Sequence, residues 1–212
     1  MGVEYFVRRI SWKMPRWLFT YEHSLLLMSE RIQTDLMIGE GVECRLAGRQ
    51  DAGLMKAIGM TEVTFQERLD KGDVGAIVVE NRSAVATLWA VTGSLFLQAG
   101  KTGSFLNTGT DSFYFHYGFT LPQARSKGYY KACVSLLFDY FASRGRPRGY
   151  GLIDADNDLS LRVHEKLGYK VVGDAIRMLV CGVSVCYYKS WPHPVRKLEI
   201  RRAKLPSKIR AV

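Results

Sequence analysis

The apolar residues of this chain change period at Pro122, and that change limits the folds open to it. From Ser112 to Leu121 the sequence is a dense aromatic run suited to a strand, and Pro122 ends it because proline has no N–H to give to a ladder. From Gly128 to Ser143 the apolar residues Ala132, Leu136, Leu137, Tyr140 and Phe141 fall three and four apart, the spacing of a helix that lays one face on a sheet. Gly145 closes that helix. The strand-then-helix pattern recurs with a short strand at Gly151 to Asp154, the polar pair Asp156-Asn157, and a helix from Leu159 to Leu167 with Gly168 in the C-cap role.

The flanking segments decide how such units assemble. Upstream, Glu43 to Ala47 reads as a short strand, followed by helical stretches over Asp51 to Ile58 and Thr61 to Lys71, with Thr61 as N-cap. Val74 to Glu80 and Ala84 to Val91 are β-branched, apolar runs joined by the turn Asn81-Arg82-Ser83, which predicts a hairpin. Downstream, a strand from Tyr169 through Val172 toward Val180 and another over Val183 to Lys189 complete the pattern. The tight hairpin argues against a purely parallel, doubly wound sheet. The expected class is α/β (α+β), with a mixed, mostly antiparallel central sheet flanked by helices on both faces.

Three regions differ in character: a basic aromatic extension over residues 1–40, the patterned domain over residues 41–190, and a basic tail over residues 191–212. With 47% hydrophobic and 24% charged residues, the chain of 212 residues has enough apolar surface for one sizeable core, and disorder over most of its length is excluded. Cys44, Cys133, Cys181 and Cys186 show neither a C-x-x-C pair nor histidines at zinc-ligand spacing, so a reduced, metal-free, cytoplasmic protein is expected. No window approaches the roughly 18 uninterrupted apolar residues of a spanning helix. The net charge of +10 favours anionic partners without choosing among them.

The segment Arg125-Ser126-Lys127-Gly128-Tyr129-Tyr130 lies between strand and helix, where successive backbone N–H groups converge. The positive end of the helix, a glycine that permits close approach, and the charges of Arg125, Lys127 and Lys131 suit a pyrophosphate. Neither G-x-x-x-x-G-K-[ST] nor G-x-G-x-x-G is present, so kinase and dinucleotide readings lose their main support.

Arg125-Ser126-Lys127-Gly128-Tyr129-Tyr130, followed by Asn157-x-x-Ser160 and His164-Glu165-Lys166-Leu167-Gly168-Tyr169, resembles the two motifs of the GCN5-related N-acetyltransferase (GNAT) superfamily, and the likeness extends over Gly41 to Ser190. The first motif, [RQ]-x-x-G-x-[GA], implies a loop for the pyrophosphate of coenzyme A, here with Tyr130 in place of the second small residue. In the second, His164 stands where the family commonly has a tyrosine that gives a proton to the departing thiolate, a task an imidazole can perform. The resemblance further implies that the strand ending at Leu121 splays from its neighbour, that backbone groups of Phe119 and Leu121 hold the pantetheine arm, and that Asn157 binds the donor's amide groups. The expected cofactor is acetyl-CoA as acyl donor, with no metal.

Acetyl transfer to an amine also calls for a base. The aromatic strand carries no carboxylate after Asp111; Tyr114 and His116 share one face by the period-two rule, and His116 is favoured because imidazole titrates near neutrality. The expected activity is N-acetylation of a small amine or amino sugar by direct transfer. The alternatives are an O-acyl or longer-chain acyltransferase at a membrane surface and a non-catalytic acyl-CoA-binding protein. Arg8, Arg9, Lys13 and Arg16 interleave with Ile10, Trp12, Trp17, Leu18 and Phe19, a mixture suited to peripheral contact with an anionic bilayer or to packing on the chain's own domain or on the second copy of a homodimer. The tail is rich in Lys and Arg, yet no nucleic-acid module accompanies it, and nucleic acid is not an expected partner.

Overall fold

The computed structural model describes residues 18–30, 38–99, 102–107, 109–181, 183–190 and 196–202, together with Val7, Ile10, residues 13–15 and Ile32. In chain order its strands are β1 (Phe19–Ser29), β2 (Val42–Leu46), β3 (Val74–Glu80), β4 (Ser83–Thr92), β5 (Ser94–Ala99), β6 (Thr102–Asn107), β7 (Ser112–Thr120), β8 (Arg148–Asp154), β9 (Lys170–Val180), β10 (Val183–Ser190) and β11 (Arg196–Arg202). The helices are a 3₁₀ helix at Arg49–Ile58 and the α-helices α1 (Glu62–Asp70), α2 (Tyr129–Ala142) and α3 (Asp158–Lys166). Thr61 caps α1 as its sequence position predicts, its hydroxyl accepting from the Thr64 N–H at 3.1 Å.

Among the described residues the main sheet has nine strands in the order β11-β10-β9-β1-β8-β7-β4-β3-β2, and β5 pairs separately with β6. Its pairings are antiparallel except for β7 with β8. Alternation along β3 shows how two helical layers form. Ala76 and Val78 point to the core under α2, with Cys133, Val134, Leu137 and Phe138, while Ile77 points to the opposite face, under Met55, Ile58 and Phe65 of the 3₁₀ helix and α1. Helices therefore cover both faces, and the sheet is mixed and mostly antiparallel.

The ends of the chain are used more fully than their composition suggests. Phe19–Ser29, within the expected extension, is a strand at the centre of the sheet, antiparallel to both β8 and β9. Leu27, 2% exposed, belongs to the core under α2. Arg196–Arg202, within the expected basic tail, forms the edge strand beside β10. The other arm residues named above, Arg8, Arg9, Trp12, Arg16 and Trp17, and the tail from residue 203 lie outside the described residues. Among the described residues no helix is long and apolar enough to cross a membrane.

One charged pair fixes the 3₁₀ helix to the sheet. The Arg45 guanidinium on β2 meets both carboxylate oxygens of Asp51 at 2.7 and 2.6 Å, and Asp51 also accepts from the Gly48 N–H at 2.8 Å. Asp51 is 1% exposed, so its charge depends on these donors, and Arg45 foremost holds its carboxyl below the usual range. A carboxyl depressed on folding contributes stability above its unfolded pKa, and that contribution is lost as pH falls through the folded value. Asp51→Asn should therefore cost about 1.5–3 kcal/mol at pH 7 in urea unfolding, and the difference from the parent should close at pH below the ordinary carboxylate range. Leu27→Ala should cost about 2–5 kcal/mol in the same measurement, as a core position does and an appended arm does not.

Candidate active site

The site begins with an irregularity in β7. Against β4 the register passes from Trp89↔Tyr117 to Ala90↔Phe115, so His116 is an extra residue on the β7 side. A bulge of this kind bends the strand that carries it. The parallel ladder between β7 and β8 runs from Ser112↔Arg148 to Phe115↔Gly151 and stops there, although β7 continues to Thr120 and β8 to Asp154. Beyond the bulge each strand stays paired on its outer side, β7 with β4 and β8 with β1, and a wedge opens between them.

The ladder determines which backbone groups face that wedge. The Leu121 N–H donates to the Val85 carbonyl at 2.9 Å, which makes Phe119 and Leu121 the residues whose peptide groups turn toward β4. Those of Gly118 and Thr120 turn the other way. The wedge-facing peptides are thus one residue from the pair Phe119 and Leu121 that the resemblance implied, because strand parity is set by pairing and is not written in the residue string. On the far side of the wedge the Ala155 N–H donates to the His23 carbonyl at 2.9 Å, so the peptide groups of Leu152 and Asp154 face inward.

At the mouth of the wedge lies the basic loop. Pro122–Ala124 makes a 3₁₀ turn, after which Ser126 at φ 63° and Gly128 at φ 81° both adopt left-handed backbone. Gly128 is the N-cap of α2 and supplies no side chain to it; the Ala132 N–H makes the bond to the Gly128 carbonyl at 3.0 Å. The N–H groups of Tyr129, Tyr130 and Lys131 in the first turn have no carbonyl within the helix to bond, so they and the helix dipole are available to an anion. Arg125, Ser126, Lys127 and Gly128 are exposed. Two of the loop's side chains are tied down by a residue missed in the sequence: Glu80, at the end of β3, accepts from Lys127 Nζ at 3.1 Å and from the Tyr129 hydroxyl at 2.9 Å. The Lys127 ammonium, with Tyr129 second, holds the Glu80 carboxyl below its usual range.

On the other side of the opening, Asn157 is the N-cap of α3, its Oδ1 accepting from the Ser160 N–H at 3.1 Å. That oxygen is thus occupied by the helix, and the expected contact with a donor's amides falls to the rest of the side chain. His164 is 5% exposed. Its Nδ1 lies 2.8 Å from the Ser160 carbonyl and its Nε2 lies 2.9 Å from the Tyr130 hydroxyl. A carbonyl only accepts, so Nδ1 carries the hydrogen, and in the neutral ring Nε2 accepts from the tyrosine. Burial pushes the imidazole pKa below its ordinary value, partly offset by the Ser160 carbonyl. Tyr130, the residue that departs from the expected small side chain, thus bridges α2 to α3. Its ring also lies against Gly118, where a Cβ would come within 3.1 Å of Tyr130 Cε2 and of Leu88 Cδ1.

Neither expected base is free to act as one. Tyr114 is 5% exposed, and burial drives its hydroxyl far above the ordinary tyrosine range, with a hydrogen bond from the Leu152 backbone opposing. His116 Nε2 lies 3.0 Å from Asp73 Oδ2, and its Nδ1 lies 3.0 Å from Arg68 Nη1. A guanidinium only donates, so Nδ1 accepts from Arg68 and Nε2–H donates to Asp73. Arg68 is packed over Tyr117 at 4.8 Å and Trp89 at 5.6 Å. The carboxylate absent from β7 thus arrives from Asp73, in the loop between α1 and β3, and no local spacing announces it. Among the described residues no group of three or more His, Cys, Asp or Glu is placed to hold a metal ion.

No protein-family model matches the sequence, and no curated protein matches it. Solved structures do match the fold. A GNAT-family protein from Novosphingobium aromaticivorans superposes with a TM-score of 0.52 at 14% identity, over 74% of this chain and 63% of its own. A GNAT-family acetyltransferase from Colwellia psychrerythraea gives 0.50 at 14% identity, over 75% and 56%. A GCN5-related N-acetyltransferase-like protein from Streptococcus suis gives 0.50 at 14% identity, over 82% and 66%. The matched region is less than two thirds of the length of each of these proteins. With its mixed sheet parting between two parallel strands at the head of a helix, the chain is built on the GNAT fold.

Proposed function

We propose that the protein is an acetyl-CoA-dependent N-acetyltransferase that acts on a small amine or amino sugar by direct transfer. The observation that carries this reading is the conjunction of the wedge beyond Phe115 and Gly151 with the uncapped start of α2 at its mouth. A long, anionic, amide-bearing thioester suits both parts. The pyrophosphate would take the N–H groups from Gly128 to Lys131, with Arg125 beside them, and the pantetheine amides would bond the peptides of Gly118 and Thr120 as an added strand. Acetyl-CoA would supply the activated acyl group.

The chain's own residues then have separable tasks. The helix start and loop bind the diphosphate without a desolvated ion pair, since Lys127 is already neutralised by Glu80. The parted strands orient the thioester, and orientation alone removes a large part of the barrier to attack by an amine. The acceptor would approach on the face covered by α1 and the 3₁₀ helix, where Asp73, His116 and Arg68 form the polar wall. With its basic nitrogen bonded to Arg68, His116 serves there to shape and polarise that wall.

Calorimetric titration with acetyl-CoA tests the reading. The parent should bind saturably, and Gly128→Glu should weaken binding at least about a hundredfold, because it places a carboxylate among the phosphate-binding amides and a Cβ on a left-handed residue. Acetylated product from a panel of small amines and amino sugars, followed by mass spectrometry, completes the test. Failure of the parent to bind either acetyl-CoA or free CoA would overturn the reading, and binding without product from any amine would reduce it to cofactor binding alone.

A further inference from the structure

Cys44 and Cys133, far apart in the sequence, are brought side by side where α2 packs on the outer part of the sheet. Residues directly opposite one another in an antiparallel ladder share a face, and Cys44 of β2 stands opposite Val78 of β3. Val78 points into the core under α2, so Cys44 points there too, and it packs against the same cluster as Cys133. The two thiols are hydrogen-bonded to each other, with the Cys133 S–H donating to the Cys44 sulfur.

The partners are unequal. Cys133 is 0% exposed, whereas Cys44 is half-buried and belongs to the last strand of the sheet among the described residues. The hydrogen bond from Cys133, foremost, holds the Cys44 thiol below its ordinary pKa, against burial and the neighbouring Glu43. The same bond, with burial second, pushes the Cys133 thiol up. A thiolate is the nucleophilic form, so reactivity collects on the sulfur nearer the surface while the proton stays on the one behind it. Cys181, which is exposed, and Cys186, on β10, lie toward the opposite end of the sheet and cannot take the place of either.

We propose that Cys44 and Cys133 are a redox pair, in which Cys44 is the sulfur attacked by a peroxide and Cys133 is the thiol that converts the product into a disulfide. The Cys44 thiolate bonds one peroxide oxygen, and the O–O bond breaks with its electron pair on the other oxygen. That oxygen takes the proton Cys44 gave up and leaves as water. Cys44 is then a sulfenic acid, oxidised by two electrons, and the peroxide is reduced by two. Cys133 loses its proton, its sulfur bonds the Cys44 sulfur, and the S–O bond breaks to release hydroxide, which takes that proton as a second water. Two thiols and one hydrogen peroxide thus give one disulfide and two waters, and a dithiol reductant reverses the change. The bond would tie the outer strand to α2 one turn beyond Tyr129, in the helix whose start faces the wedge. No C-x-x-C spacing announces the pair, because a strand and a helix bring it together.

The full chain, reduced and then freed of reductant, is treated with hydrogen peroxide at neutral pH, and samples are alkylated over time and mapped by mass spectrometry without reduction. Cys44 should lose its free thiol at least about tenfold faster than the exposed Cys181. The product should be a single chain lighter by two hydrogens, with the peptides of Cys44 and Cys133 joined and released again by dithiothreitol. Cys133→Ala should react more slowly and stop at a sulfenic acid on Cys44 that dimedone captures, and Cys44→Ser should leave Cys133 reduced. Loss of the Cys44 thiol no faster than that of Cys181 would overturn the proposal. So would a sulfenic acid that persists on Cys44 of the parent, or a link from Cys44 to any other cysteine. These outcomes are read on the parent chain, so they stand whether or not either variant folds. They are also independent of whether the chain binds acetyl-CoA.

Discussion

At His116 an extra residue enters β7, the register against β4 slips, and the strand leaves β8 after Phe115 and Gly151. A sheet cannot part in its interior without exposing peptide groups on both new edges, and unpaired buried peptides are costly. The structure tolerates the opening because each strand keeps its outer partner, β4 for one and β1 for the other. What remains along β7 is a strip of backbone, at Gly118 and Thr120, turned away from β4 toward the parting. Every other element of the site is arranged around that strip: the loop and helix start at its mouth, Tyr130 and His164 along one side, and the cluster of Asp73, His116 and Arg68 on the opposite face.

The packing explains why the parting stays where it is. On the paired side of the bulge, Phe113 stacks on Phe141 at 4.4 Å between centroids and meets Phe138 edge-on at 4.9 Å. These rings fill the space above Gly149, where a Cβ would lie 2.4 Å from Phe138. The aromatic block holds β7, β8 and α2 together up to Phe115, and the bulge then directs β7 away from it. The expected aromatic strand is thus two segments with different work: Phe113 and Phe115 bind the core, while Gly118 and Thr120 present backbone.

Much of this frame was legible in the sequence. Periodicity located β3, β4, β7, α2 and α3 to within a few residues, and Gly128 and Thr61 stood out by the chemistry of helix starts. Phe19–Ser29 was hidden because its neighbours Trp17 and Leu18 and the charges before it gave the whole segment the composition of an arm, although the run Leu25 to Met28 was a strand signal. The pairing of β5 with β6 was missed too, despite the apolar residues Leu95 to Leu97 and Phe105 to Leu106. Site contacts that depend on tertiary distance were beyond reach: Glu80 meeting Lys127, Asp73 meeting His116, and Tyr130 meeting His164 each join segments with no common periodicity. The parity of Gly118 and Thr120 depends on the ladder with β4 and could not be counted from the residues.

The place of β1 has a consequence for how the chain acquires this shape. Ser24 bonds Asp154, 130 residues further on, and His23 bonds Asp174, 151 residues further on. A strand made early in synthesis therefore waits for two partners made late, and both must arrive before the middle of the sheet can zip. Such distant pairing is slow, because loop closure is unfavourable until the contacts it permits are made. During that delay the apolar residues Leu25 to Met28 have bare strand edges on both sides, so aggregation competes with folding most directly through the first strand of the sheet.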